Sequence, residues 1–181
     1  MRIIGGKLKG KMICPPNGYK ARPTTDFAKE GLFNILNNEY EMEGLQILDL
    51  FGGTGSISFE FASRGAAMVY CVEMLPLHAN FIKEQARSFG LDNVTVVRHN
   101  VFDFLEICHE RFDIVFADPP YSREGLDGIP DKVISKGIVH PGGYLILEHP
   151  DEYEFSSHPC FVKEKKYGNV HFSFFEMPDT Q

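Results

Sequence analysis

The sequence predicts an α/β fold: an open, mostly parallel sheet with an antiparallel C-terminal edge hairpin, preceded by a small N-terminal β-hairpin and helix. Three observations lead there. From Leu45 onward, short apolar runs of strand length alternate with stretches of helical periodicity. The runs themselves, such as Leu45 to Leu50 and Phe112 to Ala117, are apolar on both sides, as buried parallel strands are. The last two β-rich runs flank Gly168-Asn169 with no helix between them. In sheets of this kind ligands bind beyond the C-terminal strand ends, near the point where the strand order reverses.

The elements follow in order. Ile3-Ile4 and Lys7 to Ile13 read as the strands of a hairpin turned by Gly5-Gly6, with lysines alternating on the second. Pro15-Pro16-Asn17-Gly18 is a loop. Thr24-Thr25-Asp26 offers N-cap oxygens to a helix ending near Asn38, with Leu32, Phe33, Ile35 and Leu36 as its apolar face. The first strand at 45–50 leads through a glycine-rich turn into a helix from Ile57 to Ala62. Met68 to Val72 is a second strand, followed by a helix over 76–89. Val94 to Val97 is a third strand and Val101 to Cys108 a helix. Phe112 to Ala117 is the fourth strand, and a helix over 128–136 leads to a fifth at Tyr144 to Leu147. Phe161 to Lys166 and Val170 to Glu176 form the closing hairpin.

A chain of 181 residues with 43% apolar content buries one good core. No apolar run approaches the ~20 residues of a membrane span, and the start lacks a signal-peptide core, so an exported or membrane protein is not expected. Cys14, Cys71, Cys108 and Cys160 lie far apart, which suits a reducing cytoplasm better than a disulfide framework or a zinc site. The seven histidines (78, 99, 109, 140, 149, 158, 171) show no ligand spacing, so no metal is expected. The net charge of −7 argues at first sight against a phosphate-rich partner. Its distribution reverses that impression. Residues 1–29 hold Arg2, Lys7, Lys9, Lys11, Lys20, Arg22 and Lys29 against Asp26 alone, a local net of +6, which leaves −13 for the rest. Such a segment is either a solvated basic arm or an electrostatic footprint for a polyanion.

Two motifs carry chemistry. Asp49-Leu50-Phe51-Gly52-Gly53-Thr54-Gly55 joins the first strand to its helix, where glycines permit positive φ and close approach of a ligand. Glu73 ends the second strand, where a carboxylate can accept both hydroxyl hydrogens of a ribose. A dinucleotide fingerprint would require glycine at position 58, which is Ser58, and no Walker lysine follows. Asp49 at the turn repels a pyrophosphate and suits a cationic or amino-bearing nucleoside, as S-adenosylmethionine is. The second motif, Asp118-Pro119-Pro120-Tyr121, ends the fourth strand on the same edge. The Asp118 carboxylate and Pro119 carbonyl can accept hydrogens from one exocyclic amino group, aiming its lone pair at the methyl. Tyr121 offers a face for an unstacked base. Asn100 and the Val101 N–H can meet an adenine edge, although an asparagine there also serves as a helix cap.

Together these residues resemble the class I S-adenosylmethionine-dependent methyltransferases of the Asp/Asn-Pro-Pro-aromatic, amino-group branch. More closely, the chain resembles the RsmD family of 16S ribosomal RNA (guanine-N2)-methyltransferases. Met1-Arg2-Ile3-Ile4-Gly5-Gly6-Lys7 with Gly10, then Arg22-Pro23-Thr24-Thr25-Asp26 with Glu30 and Leu32-Phe33-Asn34, carry the specific part of the likeness. Ser63-Arg64-Gly65-Ala66, Val72-Glu73 and Lys166-Tyr167-Gly168 follow in the family's order. The resemblance implies a Rossmann-like class I methyltransferase fold with a seven-stranded sheet. It divides the chain into a basic RNA-contacting extension over 1–40 and a catalytic domain over 41–181. It implies S-adenosylmethionine as cofactor, S-adenosylhomocysteine as product and no metal. Asp49, Phe51, Gly53, Thr54, Gly55, Glu73, Met74, Asn100 and Val101 would bind the cofactor. Asp118, Pro119, Pro120 and Tyr121 would hold the guanine, and Arg2, Lys7, Lys9, Lys11, Arg22 and Lys29 the RNA. The target would be a guanine of the guanine 966 type in 16S rRNA, within the small subunit or its assembly intermediate; chain size makes a monomer the expectation, and the cysteine pattern a cytoplasmic location. Phe27 and Lys29 stand where the family usually has arginine, so an interaction with phosphate there is either absent or supplied by Lys29 as a point charge.

Rival classes remain open on the residues alone. A DNA adenine-N6 or cytosine-N4 methyltransferase shares Asp-Pro-Pro-Tyr but normally carries a target-recognition segment for which this chain has no room. Protein-glutamine methyltransferases have Asn-Pro-Pro-Tyr and lack the basic opening. A catalytically silent RNA-binding assembly factor would not need both Asp118 and Glu73.

Overall fold

The computed structural model describes residues 1–19, 24–121 and 125–179. Lys20, Arg22 and Pro23 of the sequence reading lie outside them. Helix α1 spans Asp26–Glu39, and seven strands and four further helices follow: β1 Gln46–Leu50, α2 Ser56–Ser63, β2 Met68–Val72, α3 Pro76–Phe89, β3 Val94–Val97, α4 Val101–Ile107, β4 Phe112–Ala117, α5 Ile129–Ser135, β5 Val139–His149, β6 Phe161–Tyr167 and β7 Val170–Glu176. All seven strands join one sheet in the order β3-β2-β1-β4-β5-β7-β6. The first five strands are parallel, whereas β7 runs antiparallel to both β5 and β6. The chain builds outward from β1 to β3, then crosses back to β4, so the strand order reverses between β1 and β4.

Side-chain alternation gives each sheet face its own helices. Ile47, Val69, Cys71, Ile114, Phe116, Ile146, Phe172 and Phe174 pack with α1, α2, α3 and the N-terminal arm. Leu48, Leu50, Val72, Val115, Ala117, Leu145, Leu147 and Phe175 pack with α4 and α5. Capping defines the helix ends. The Thr25 hydroxyl accepts from Ala28 N–H, Asn100 caps α4 through Phe102 N–H, and α3 opens with Pro76 and stops at left-handed Gly90. No helix of the described residues is long and apolar enough to cross a membrane.

Two elements differ from the sequence reading by more than one residue. Strand β5 starts at Val139, well before Tyr144, because Gly142 takes φ +73° and the pairing with β4 shifts register there. The N-terminal arm pairs 1–3 with 10–13, but its return strand does not begin at Lys7. Gly6–Leu8 form a 3₁₀ turn, and pairing resumes at Gly10, with Gly10 N–H donating to Ile3 O, Ile3 N–H to Lys11 O and Ile13 N–H to Met1 O. Tertiary docking causes the change. Leu8 N–H donates to Ser63 Oγ, Ser63 Oγ–H donates to Gly5 O, and a Cβ on Gly6 would lie 2.0 Å from the Ser63 carbonyl oxygen.

What holds the arm is charge in the core. Lys29 and Glu60 have no exposed surface, and their Nζ and Oε1 are 3.1 Å apart. Lys29 also donates to Arg2 O at 2.5 Å and to Ser56 Oγ at 3.1 Å. Glu60 accepts from Ile4 N–H at 2.5 Å and from Arg64 Nε at 3.2 Å, while the Arg64 guanidinium lies over Phe33. Lys29 is therefore no RNA-facing cation. With Arg64 it is the counter-ion of a fully buried carboxylate, and it cannot stand in for an arginine at the exposed Phe27 in meeting phosphate. Lys29→Ala is expected to lower the unfolding free energy by about 3 kcal/mol in urea titrations, since Arg64 alone is left to balance Glu60. A loss under about 1 kcal/mol, as at an exposed pair, would remove this role.

Candidate functional site

Register assembles the site. Leu50 on β1 pairs with Val72 on β2 and with Ala117 on β4. The next residue on each strand, Phe51, Glu73 and Asp118, therefore emerges at one level on one edge, at the reversal of strand order. From there the glycine turn runs over the end of β2, with Gly52 N–H donating to Val72 O. Phe51, Gly53 and Gly55 all have positive φ, and Phe51 is the one non-glycine residue to do so among the described residues. A Cβ on Gly52 would come within 2.4 Å of Cys71 Sγ, and one on Gly55 within 2.9 Å of the Phe59 ring. These two glycines thus serve close packing of turn, strand and helix as much as any ligand.

Glu73 binds the turn to the next helix. Its Oε2 accepts from Gly53 N–H and its Oε1 from Leu75 N–H, both at 2.8 Å, and His78 Nδ1 lies 3.9 Å from Oε2. Asp49 is 2% exposed and points toward α2, where Ser58 donates to its Oδ2 from N–H at 3.1 Å and from Oγ at 2.5 Å. Burial raises the Asp49 carboxyl to about 7 against the opposing Ser58 hydrogen bonds, with Glu73 adding a smaller push upward. Position 58, where a dinucleotide turn would need glycine, is thus the residue that holds this acid. Thr54 is buried and donates to Met1 Sδ at 3.3 Å. Asn100 accepts from Phe102 N–H with Oδ1, as the cap reading expects, and its Nδ2 faces Met74 Sδ at 3.7 Å. Val101 is buried beside it at the start of α4.

In the second motif Asp118 and Tyr121 are half-buried, Pro119 is buried and Pro120 exposed. The Tyr121 hydroxyl donates to Glu148 Oε1 at 3.2 Å, and Thr24 Oγ–H donates to Glu148 Oε2 at 3.0 Å. Glu148, at the end of β5, therefore connects the Thr24-Thr25-Asp26 block to Asp118-Pro119-Pro120-Tyr121 across the sheet edge. Nothing in its spacing singled it out. Tyr19 was likewise missed as a site residue, because the path of an aperiodic loop is not written in local pattern. Its hydroxyl donates to Gly53 O at 2.5 Å, and its ring stacks 4.0 Å from that of His78. Burial, Glu73 and Cys71 raise the phenol well above its ordinary value.

The basic arm flanks this edge. Its stems reach the glycine turn through Met1 and Tyr19, while its tip docks at the far end of α2 through Ser63. Lys7, Lys9 and Lys11 are exposed, and Arg2 is exposed and paired with Asp26 at 3.2 Å. Arg22 lies outside the described residues.

A seven-stranded sheet of this order, with an acid and a glycine turn on β1, an acid ending β2 and Asp-Pro-Pro-Tyr ending β4, defines a Rossmann-like class I methyltransferase. Residues 1–176 match the family model described as conserved hypothetical protein 95. The ribosomal RNA small subunit methyltransferase D of Haemophilus influenzae is 34% identical, over 97% of this chain and 93% of its own. The chain belongs to this family, the RsmD family of methyltransferases. The solved Escherichia coli protein yhhF superposes with a TM-score of 0.86 at 28% identity, covering 99% of each chain. A solved Thermus thermophilus protein gives 0.86 at 31% identity, covering 98% of this chain and 99% of that one.

The Asp49 carboxyl supplies a test of the geometry. The native state keeps its proton at pH values where the unfolded chain has released it. Its contribution to stability is therefore full below about pH 4 and is lost as pH rises toward about 7, on the order of 4 kcal/mol in all. Asp49→Asn is expected to flatten the fall in unfolding free energy across that window, measured by urea titration at several pH values. Parallel curves for the two proteins would place the titration elsewhere.

Proposed function

We propose that this chain transfers a methyl group from S-adenosylmethionine to the exocyclic N2 of a guanine in 16S ribosomal RNA, of the guanine 966 type. The observation that carries the reading is the placing of Glu73, the glycine turn and Asp118 on one edge by the register of β2, β1 and β4. Relatives of nearly equal length named for small-subunit rRNA methylation support the substrate.

The residues present fit the cofactor. Glu73 is a carboxylate at a strand end whose hydrogen-bond partners are backbone N–H groups of the turn and of α3, so the same oxygens suit ribose hydroxyls. Asp49, beneath the turn, is an acid suited to a cationic ligand and ill suited to a pyrophosphate. Phe51, Gly53, Thr54 and Gly55 would line the backbone side, and the exposed Met74 with Asn100 and Val101 would take the adenine. When bound, the cofactor supplies an electrophilic methyl group on a sulfonium. The chain supplies position. Asp118 and the Pro119 carbonyl accept the two amino hydrogens of the guanine, which turns the nitrogen lone pair toward the methyl carbon. Asp118 would accept the proton that the amino nitrogen gives up as it gains the methyl group. Tyr121, held by Glu148, presents its face to the flipped base.

RNA is met by the extension over 1–40, through Arg2, Lys7, Lys9 and Lys11 along one flank of the catalytic domain over 41–181. The enzyme acts as a cytoplasmic monomer on the small subunit or its assembly intermediate.

The deciding experiment incubates the protein and labelled cofactor with small subunits from a strain lacking this activity, then analyses the nucleosides. N2-methylguanosine in 16S rRNA is expected, and labelled N6-methyladenine or no product would overturn the reading. Asp118→Ala is expected to lower kcat by about 10²–10³-fold with cofactor Kd within about twofold. Glu73→Ala should instead raise that Kd about tenfold or more. Matched losses in both variants would sink the division of roles. Reversing Lys7, Lys9 and Lys11 to Glu should reduce the slope of log affinity against log salt by about 2 on single-stranded RNA. An unchanged slope would clear the arm of any role in holding RNA.

A further inference from the structure

The antiparallel edge gathers two histidines that lie 22 positions apart in the chain around a single carboxylate. His149 ends β5 and pairs in register with His171 on β7. Glu164 on β6 pairs with Ser173, two residues from His171 and so on the same sheet face. Three adjacent strands thus aim three metal-competent groups at one point. His171 Nδ1 is 3.4 Å from Glu164 Oε1, and His149 Nε2 is 3.7 Å from Glu164 Oε2. All three ligand atoms fall within 4.8 Å of one another.

The protonation pattern also suits an ion. His149 Nδ1 lies 2.8 Å from the Pro150 carbonyl, which only accepts, so that nitrogen carries the hydrogen. Its Nε2 then presents a lone pair, which now receives the Ser173 hydroxyl at 2.8 Å. A ring fixed by an N–H to a backbone carbonyl, with the other nitrogen turned inward, is how metal-bound imidazoles are held. Bonds of about 2.0–2.1 Å in a tetrahedral shell separate ligand atoms by about 3.3 Å, close to the two shorter distances here. Glu164, with 21% of its side chain exposed against 0% and 7% for the two histidines, is the member that faces solvent and the route of entry. Lys166 Nζ, 3.3 Å from Glu164 Oε1, competes for that oxygen, but its side chain is 65% exposed and free to swing into water.

We propose that His149, Glu164 and His171 form a binding site for a divalent first-row transition ion of the zinc class, with water completing the shell. The ion is a clamp and takes no part in methyl transfer. It ties β5, β7 and β6 together one residue beyond Glu148, the carboxylate that holds Tyr121 and Thr24. The site is independent of the substrate assigned above.

The test uses the full chain, without an affinity tag and stripped of metal, titrated with cobalt(II) and then with zinc. One cobalt ion per chain is expected, with the visible absorption of a four- or five-coordinate nitrogen–oxygen shell, bleached by zinc. The metal should raise Tm. Glu164→Gln, a partly exposed position that keeps its shape, should weaken binding about tenfold or more, and His171→Gln likewise. Circular dichroism and cofactor binding check folding, and if His171→Gln unfolds, Glu164→Gln decides alone. No cobalt spectrum, an affinity unchanged by Glu164→Gln, or the thiolate charge-transfer band of an ion on the exposed Cys14 would each overturn the proposal.

Discussion

Everything at the site depends on the parallel pairing of β1 with β2 on one side and β4 on the other. Leu50 opposite Val72 and Ala117 sets the level at which Glu73 and Asp118 leave the sheet. The same register determines what lies beneath. Ile47 and Asp49 face α2 and α3, while Leu48 and Leu50 face α4 and α5. A slip of one residue would turn Asp49 into the second core and Leu50 toward Ser58. Both apolar faces resist that exchange, so burial of the flanking residues fixes a polar geometry that has little stabilising energy of its own.

The N-terminal arm is bound to this frame at two points by different means. At the base, Lys29 and Glu60 form a buried ion pair, completed by Arg64, Ser56 and two backbone groups of the arm. At the rim, Glu148 takes Thr24 from the arm and Tyr121 from the methyltransferase motif. A buried ion pair is a poor source of net stability, yet it is costly to mispair. Its effect here is to specify one docking of the arm on α2. The arm is thereby placed beside the glycine turn, and Tyr19 closes onto Gly53.

The periodic part of the fold was legible in the sequence because periodicity is local. Strands β3, β4 and β7 and helix α3 lie where apolar pattern, Pro76 and Gly90 put them. The site motifs were legible for a related reason, since both occupy strand ends and carry residue types with few structural uses. What pattern did not convey is long-range. Lys29 looks like a surface cation in helical spacing, and only the partner Glu60, 31 positions away, makes it a core residue. Glu148 and Tyr19 act through contacts across the sheet edge. His149 and His171 show no ligand spacing along the chain, because antiparallel pairing and not sequence separation makes them neighbours.

The charge distribution takes on a different meaning once burial is known. The net of −13 beyond residue 29 includes Asp49, Glu60, Glu73 and Glu148, all of them buried. Glu60 is balanced within the core by Lys29 and Arg64, and the Asp49 carboxyl, raised to about 7, is only partly ionised near neutrality. Neither projects its full charge toward an approaching phosphate. Lys29 in turn must be subtracted from the basic arm, which leaves Arg2, Lys7, Lys9 and Lys11 as its exposed described cations. The contrast between arm and domain is thus smaller on both sides than the composition states, and it is confined to a narrow flank. A surface of that kind cannot coat nucleic acid at large. Under the proposed function it would orient one short stretch of RNA backbone against the edge that carries Asp118, and selectivity would then fall to the shape of that RNA.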